Sequence, residues 1–463
     1  MFPEPTYTQR RAALCSALDG GLVLLLGNSE SPMNYADNCH RFRQDSTFLY
    51  FFGLDQPDLA AVIDTDVGTA TVFGDELTID DIVWTGGLPT IAARAAACGV
   101  TETLPTADLP GVLARARAAG RAIHFLPPYR AANKLKLMDL LGIAPGEAGA
   151  RASRPLIEAV VAQRSVKAPE EIEQIERAVD VTIAMHLAAM RMVRPGVSER
   201  AIAAEVTRVA EAAGCRLSYP VIATVRGEVL HNHHHDGMLE SGDLFLLDAG
   251  AEGPLGYAAD LSSTVPVDPD FTPRQRLIYD LSLKAYHAAV DALGPGVPNR
   301  DVHFAAARVI AEGMKGLGLM KGDTEEAVAA GAHAMFFPCG VGHMMGLDVH
   351  DMEDLGEAFV GYDGRPRSTQ FGLKSLRLAR PLQPGFVLTV EPGIYFIPQL
   401  MDAWRASGHC AEFLDFDELD KWRDFGGIRN EENWLITPDG KRRLGEPKPL
   451  TADEIAGVRD QPR

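Results

Sequence analysis

The chain lacks the features that mark an extracellular or membrane protein. Its six cysteines, Cys15, Cys39, Cys98, Cys215, Cys339 and Cys410, are scattered and form no CxxC pair. In a chain of 463 residues they read as free thiols in a reducing compartment, the cytoplasm. The first residues, MFPEPTYTQRRAALCSALDGG, contain no apolar h-region before a cleavage site. The apolar run Gly21–Gly27 (GLVLLLG) is far too short to span a bilayer and reads as a buried strand. Basic charge is also scarce. There are 44 Lys and Arg against 63 Asp and Glu, a formal net charge of −19. That argues against nucleic acid and anionic membranes as partners. It leaves a small substrate open, because a local site carries its own sign.

What is present is an ordinary globular composition, 46% hydrophobic and 23% charged, in a chain longer than one core usually supports. Two domains are expected, residues 1–165 and 166–463. The first alternates apolar runs near residues 22, 58 and 69 with Ala-rich helical stretches near 90 and 105, the pattern of an α/β domain. At Val166–Glu171 (VKAPEE) the character changes. Pro169 suits the first turn of a helix, and Ile172, Ile175, Val179 and Ile183 follow at helical spacing.

The second domain contains a weak internal repeat. Arg194–Arg200 reads RPGVSER and Gly294–Arg300 reads GPGVPNR, each between two helical stretches. Thr272–Gln275 is a capping box for the helix leading into the second copy. Each copy is followed by an apolar strand ending in an acid, LFLLDAG with Asp248 and FVLTVEPG with Glu391. Two αβ halves sharing one site is the reading, although Pro-Gly turns between helices are common by themselves.

Four stretches carry candidate chemistry. Gly242–Gly250 and Gly256–Val267 form an expected antiparallel hairpin with Asp248 on one strand and Asp260 on the other. Aspartate is disfavoured in strands, and a buried carboxylate needs a partner. Gly340–Asp351 (GVGHMMGLDVHD) places His343 and His350 in a Gly-rich segment. Glu391 ends a strand at Pro-Gly. In GGIRNEENWLIT, strand alternation puts Arg429 and Glu431 on one face. Each has a bland alternative, a turn aspartate, a structural histidine or a solvated charge. Taken together, four carboxylates and an imidazole suit a pair of hard or borderline divalent cations, and that points to metal-assisted hydrolysis.

These residues, in this order, resemble the aminopeptidase P and prolidase family of pita-bread metallopeptidases. The resemblance covers nearly the whole chain. It implies an α/β (α+β) architecture, with a smaller creatinase-like N-terminal domain and a C-terminal pita-bread domain. It implies two divalent ions, with manganese favoured over cobalt or zinc, held by Asp248, Asp260, His343, Glu391 and Glu431. Asp260 and Glu431 would bridge, and Glu391 would assist as general base. His231 and His350 match pocket histidines, and Arg429 joins them as a catalytic and substrate-binding candidate. His233, His234 and His235 read as a solvated loop. His40–Gly53 (HRFRQDSTFLYFFG) resembles an N-terminal stretch of the family. One position departs: Cys339 stands where the family commonly has histidine.

The implied substrates are small proline-containing peptides. A tertiary Xaa-Pro amide has no N–H, so general peptidases handle it poorly. Gly372–Arg380 (GLKSLRLAR) and the long stretch from Ile394 to Gly427 resemble prolidases. Arg377 matches an arginine that clamps a dipeptide's carboxylate. Xaa-Pro dipeptidase is therefore favoured over an Xaa-Pro aminopeptidase acting on longer peptides. A metal-free binding module or a creatinase-like amidinohydrolase is the remote alternative. The resemblance also implies a homodimer or tetramer.

Overall fold

The computed structural model describes residues 1–459. The chain packs as two units. The first is Met1–Arg164 with the short segment Met352–Phe359, and the second is Ser165–Asp351 with the chain from Val360 onward. The contiguous domains expected from the sequence thus miss the segment Met352–Phe359. It is too short to carry a periodicity of its own.

In the first unit a five-stranded sheet runs in the order β4-β3-β2-β1-β5. The strands are β1 (Leu22–Leu26), β2 (Ala60–Asp64), β3 (Thr69–Phe73), β4 (Glu102–Leu104) and β5 (Ile123–His124). The apolar run in β1 is unbroken because four of its residues, Leu22 to Leu25, are buried. Leu22 and Leu24 pack with Val62, Phe73, Leu109 and Leu113 in one core. The stretch resembling the family's N-terminal motif forms a capped helix, Ser46–Phe52. Its Asp45 side chain accepts from Phe48 N, and Gly53 ends it at φ 63.

The second unit shows the repeat in its hydrogen bonds. Helices Pro169–Met192 and Glu199–Ala212 form one pair, and Pro273–Ala292 and Asn299–Gly316 form the other. Thr272 and Gln275 make the expected capping box. The turn glycines Gly196 and Gly296 adopt φ 84 and 83, the left-handed region that glycine supplies without strain. Gly196 N donates to Leu239 O, and Gly296 N donates to Leu382 O. In return Leu239 N donates to Val197 O, and Leu382 N to Val297 O. Glu199 N and Asn299 N complete the set on Gly237 O and Arg380 O. Each leucine then leads into a strand of its half, Leu244–Ala249 after Leu239 and Val387–Val390 after Leu382.

Short strands β6 (Arg216–Leu217) and β7 (Ile222–Thr224) precede β8 (Leu244–Ala249), β9 (Ala251–Glu252) and β10 (Leu261–Pro266). The second half has β11 (Val387–Val390), β12 (Gly393–Tyr395), β13 (Gly427–Arg429), β14 (Glu432–Thr437) and β15 (Gly440–Arg443). The first half's sheet is β10-β8-β7, the second's β11-β14-β15, and β12 pairs β13. Asp248 follows Leu239 by the same number of residues as Glu391 follows Leu382. Asp260 immediately precedes β10, and Glu431 immediately precedes β14. The two halves therefore present their acids at matching places.

Candidate metal centre

The strands bring the five candidate ligands to one cavity of about 480 Å³, lined by Asp248, Asp260, His343, Glu391 and Glu431 among others. Asp248 lies on β8, opposite Ser262 in the antiparallel pairing with β10. Asp260 sits one residue outside β10 rather than on it. Its backbone is held by Asn433, whose Oδ1 accepts from Asp260 N at 3.2 Å and whose Nδ2 donates to Asp260 O at 2.6 Å. His343 belongs to a loop that passes so close to the second half's sheet that a Cβ on Gly342 would lie 2.0 Å from Thr389 O. Only glycine fits there. The alternation expected around Glu431 survives a break in the strand. β13 ends at Arg429 and β14 begins at Glu432, yet Arg429 and Glu431 both face the cavity. Glu432 turns the other way and accepts from Tyr286 OH.

The donor set fits a cation. Ligand atoms of Asp260, His343 and Glu431 lie within 4.8 Å of one another, and all three residues are buried. His343 Nε2 is 3.3 Å from Asp260 Oδ2 and 3.5 Å from Glu391 Oε1. Burial pushes the His343 pKa down to about 4, so the ring is neutral near pH 7. Its Nδ1 is 3.1 Å from Met344 O, an acceptor, which places the proton on Nδ1. Nε2 then aims a lone pair at carboxylate oxygens, an arrangement that a metal ion resolves. Burial raises the Asp260 and Glu431 carboxyls and lifts Glu391 to about 8, with Asp260 adding to the shift at both glutamates. Glu431 Oε2 accepts from Ser262 Oγ at 2.9 Å, while Oε1 is buried with no hydrogen-bond partner. An orphaned oxygen in such a place fits a metal ligand.

Three residues that carried no sequence signal shape the site. Tyr219 directs its hydroxyl to Asp248 Oδ1, at 2.5 Å, and to Asp260 Oδ1, so one phenol sits between two carboxylates. Thr389 Oγ1 lies 3.3 Å from Glu391 Oε1. Tyr395 OH accepts from Arg429 Nη1 at 2.8 Å. The guanidinium of Arg429 also donates to Ser262 Oγ at 2.8 Å and to Asp248 Oδ2 at 2.5 Å. Its donors are engaged by the protein, which makes it a counter-charge that orients Asp248.

His231 and His350 both line the cavity. The His350 ring packs edge-on to His343 at 4.2 Å, and burial pushes its pKa down to about 3. His231 is partly covered at the rim, with more of its surface left to solvent than His350. The histidine loop is only partly solvent-facing, because His233 also lines the cavity and His235 Nε2 contacts Val221 O at 2.9 Å. Arg377 and Ser375 form another part of the wall. Behind His350, Lys167 Nζ and Asp351 Oδ2 form a buried ion pair at 2.8 Å. It pins the end of the loop that carries both histidines.

Cys339 lines the same cavity, and burial, aided by Glu391, pushes its thiol up to about 12. The neutral thiol offers little of what an imidazole would. Restoring the imidazole in Cys339→His is expected to raise kcat by up to roughly tenfold, the equivalent of one good hydrogen bond, or to reorder the preference among Mn2+, Co2+ and Zn2+. Steady-state assays with each metal check this. An unchanged rate and order would make Cys339 a space-filler.

Residues 173–438 match Metallopeptidase family M24, and residues 7–124 match the Aminopeptidase P N-terminal domain. Human Xaa-Pro dipeptidase is 31% identical over 473 residues, spanning 98% of this chain and 93% of that protein. The Xaa-Pro aminopeptidase of Escherichia coli K12 is 29% identical over 456 residues, spanning 95% and 93%. The solved structure of Pseudomonas aeruginosa aminopeptidase PepP matches with a TM-score of 0.80 at 28% identity, covering 99% of this chain and 98% of that one. Proline aminopeptidase P II from Yersinia pestis gives a TM-score of 0.81 at 27% identity, with 99% of each chain covered.

Proposed function

Because the chain belongs to metallopeptidase family M24, within the aminopeptidase P and prolidase group, and is a peptidase, we propose that it hydrolyses the Xaa-Pro bond of short peptides and favours dipeptides. The observation that carries the choice is Arg377, which stands on the wall of the cavity that holds Glu391. A guanidinium there offers a bidentate anchor for the carboxylate that only a dipeptide places directly on proline. The competing reading, an aminopeptidase acting on longer peptides, is favoured by the solved structures named above.

The donor set is suited to two divalent ions, with manganese the favoured species, held by Asp248, Asp260, His343, Glu391 and Glu431. When bound, such ions supply Lewis acidity toward a carbonyl and acidify water. The residues of the chain do the rest. Glu391 takes the proton of the attacking water on a carboxylate oxygen and delivers it toward the proline nitrogen. His350 and His231, both with pKa lowered chiefly by burial, offer neutral N–H donors to the scissile carbonyl. Arg429 fixes Asp248, and Tyr219 keeps Asp248 and Asp260 in register.

No helix among the described residues is long and apolar enough to cross a membrane. The six free cysteines support a reducing cytoplasm. A homo-oligomer is supported by the helix Ile79–Thr85, which buries none of its residues and leaves Ile79, Val83 and Trp84 exposed. The test of specificity is a substrate-length series with Mn2+. Ala-Pro is expected to be cleaved with higher kcat/KM than Ala-Pro-Yaa and longer peptides. The reverse order assigns the chain to the aminopeptidases.

A further inference from the structure

A second cavity, of about 360 Å³, lies in the same unit and plays no part in the chemistry above. Its lining includes Arg300, Arg365, Arg367 and Arg380, with Asp363 as the single acid. Four arginines against Asp363 and the adjacent Asp301, whose Oδ1 is 3.7 Å from Arg300 Nε, leave a net positive island in a chain of net charge −19. Asp363 is already engaged, since Arg380 Nη1 meets its Oδ1 at 3.1 Å. Arg380 Nη2 donates to Ser165 Oγ at 2.7 Å, and its Nε is buried with no partner. The Arg380 side chain is 8% exposed, so its charge is taken largely out of water. Such an arrangement is stabilised by an anion, and guanidinium forks match tetrahedral oxyanions. The volume lies near the lower end for small-molecule sites.

The cavity also backs onto the peptide site. Leu373 and Leu376 line the basic cavity, while Ser375 and Arg377, from the same short segment, line the metal cavity. Tyr362, which lines the basic cavity, donates its hydroxyl to Leu376 O at 2.5 Å. Ala379 N and Arg380 N both donate to Gly361 O at 2.9 Å. A Cβ on Gly361 would lie 1.9 Å from Arg377 O. There is no slack between the wall of the basic cavity and the backbone of Arg377. We propose that this cavity binds a small tetrahedral oxyanion, phosphate, sulfate or a phosphomonoester, and that occupancy changes KM for dipeptides through the Arg377 segment. The coupling rests on the dipeptidase reading; the site itself does not.

The test uses the manganese-loaded enzyme at constant ionic strength, balanced with chloride. Equilibrium dialysis with labelled sulfate is expected to show saturable binding. The Arg365→Ser/Arg367→Ser double variant should weaken it by roughly tenfold or more, and Arg377→Met should leave it unchanged. Inorganic phosphate and phenyl phosphate, run as competitors, tell a free oxyanion from an esterified one. In assays with Ala-Pro, sulfate should shift KM at least about twofold where chloride does not, and the double variant should abolish the shift. Absence of saturable binding overturns the site. So does binding that survives the double variant but is lost in Arg377→Met, which would put sulfate in the peptide cavity. Binding with an unmoved KM overturns the coupling. A failed dipeptidase assignment leaves the dialysis result standing.

Discussion

Replacing Asp260 by Asn, or Glu431 by Gln, is expected to lower kcat by at least about a hundredfold. Both carboxylates are buried and close to His343, and they come from different halves of the unit. Each substitution keeps shape and removes a charge. In metal-free protein the change should cost little stability, because burial, joined at Glu431 by its acidic neighbours, already disfavours the ionised forms of these acids. With manganese present the order should reverse, the wild type gaining more thermal stability than either variant. Metal content, kcat and melting curves with and without manganese separate the two cases. A variant that binds a full complement of metal and turns over near the wild-type rate would remove Asp260 and Glu431 from the centre.

Arg377→Met is expected to raise KM for Ala-Pro, with a loss on the order of 2–4 kcal/mol in kcat/KM. Methionine keeps much of the side-chain bulk and deletes the fork. Burial lowers the Arg377 pKa from its usual value, with Glu391 acting in the opposite direction, and the guanidinium keeps its charge. A carboxylate that pairs with it replaces lost hydration. Cleavage of a C-terminally amidated substrate, which presents no carboxylate, should barely change. An equal slowing of dipeptides, tripeptides and amidated substrates would show Arg377 to be a general scaffold residue.

The sequence showed which acids matter more readily than how they are held. Asp248 and Glu391 stand out because each ends an apolar strand, against strand preference, and Glu431 because strand alternation puts it on the face of Arg429. The repeat was visible in two Pro-Gly-Val turns, because those turns fix the register of both helix pairs. Tyr219 and Tyr395 were invisible. A tyrosine beside a short strand reads as core until the strands place a carboxylate or a guanidinium against its hydroxyl. Arg429 was located on the cavity face, but the groups that hold it were not. Its partners, Asp248 and Tyr395, lie far from it in sequence, and no local pattern reports them. The segment Met352–Phe359 was likewise assigned by position in the chain rather than by packing.

The matched placement of the acids has a consequence for synthesis. The first half alone holds Asp248 and Asp260; Glu391 comes late, and Glu431 is set by β14, close to the end of the described chain. Bringing these groups together closes long loops, an entropic cost that is recovered only when both sheets have formed. A nascent chain emerging from the ribosome therefore carries isolated aspartates and no hydrolytic power. The peptide-cutting chemistry switches on only when β11 to β14 have joined the first half, so proteolytic competence doubles as a readout that both halves of the unit have folded together.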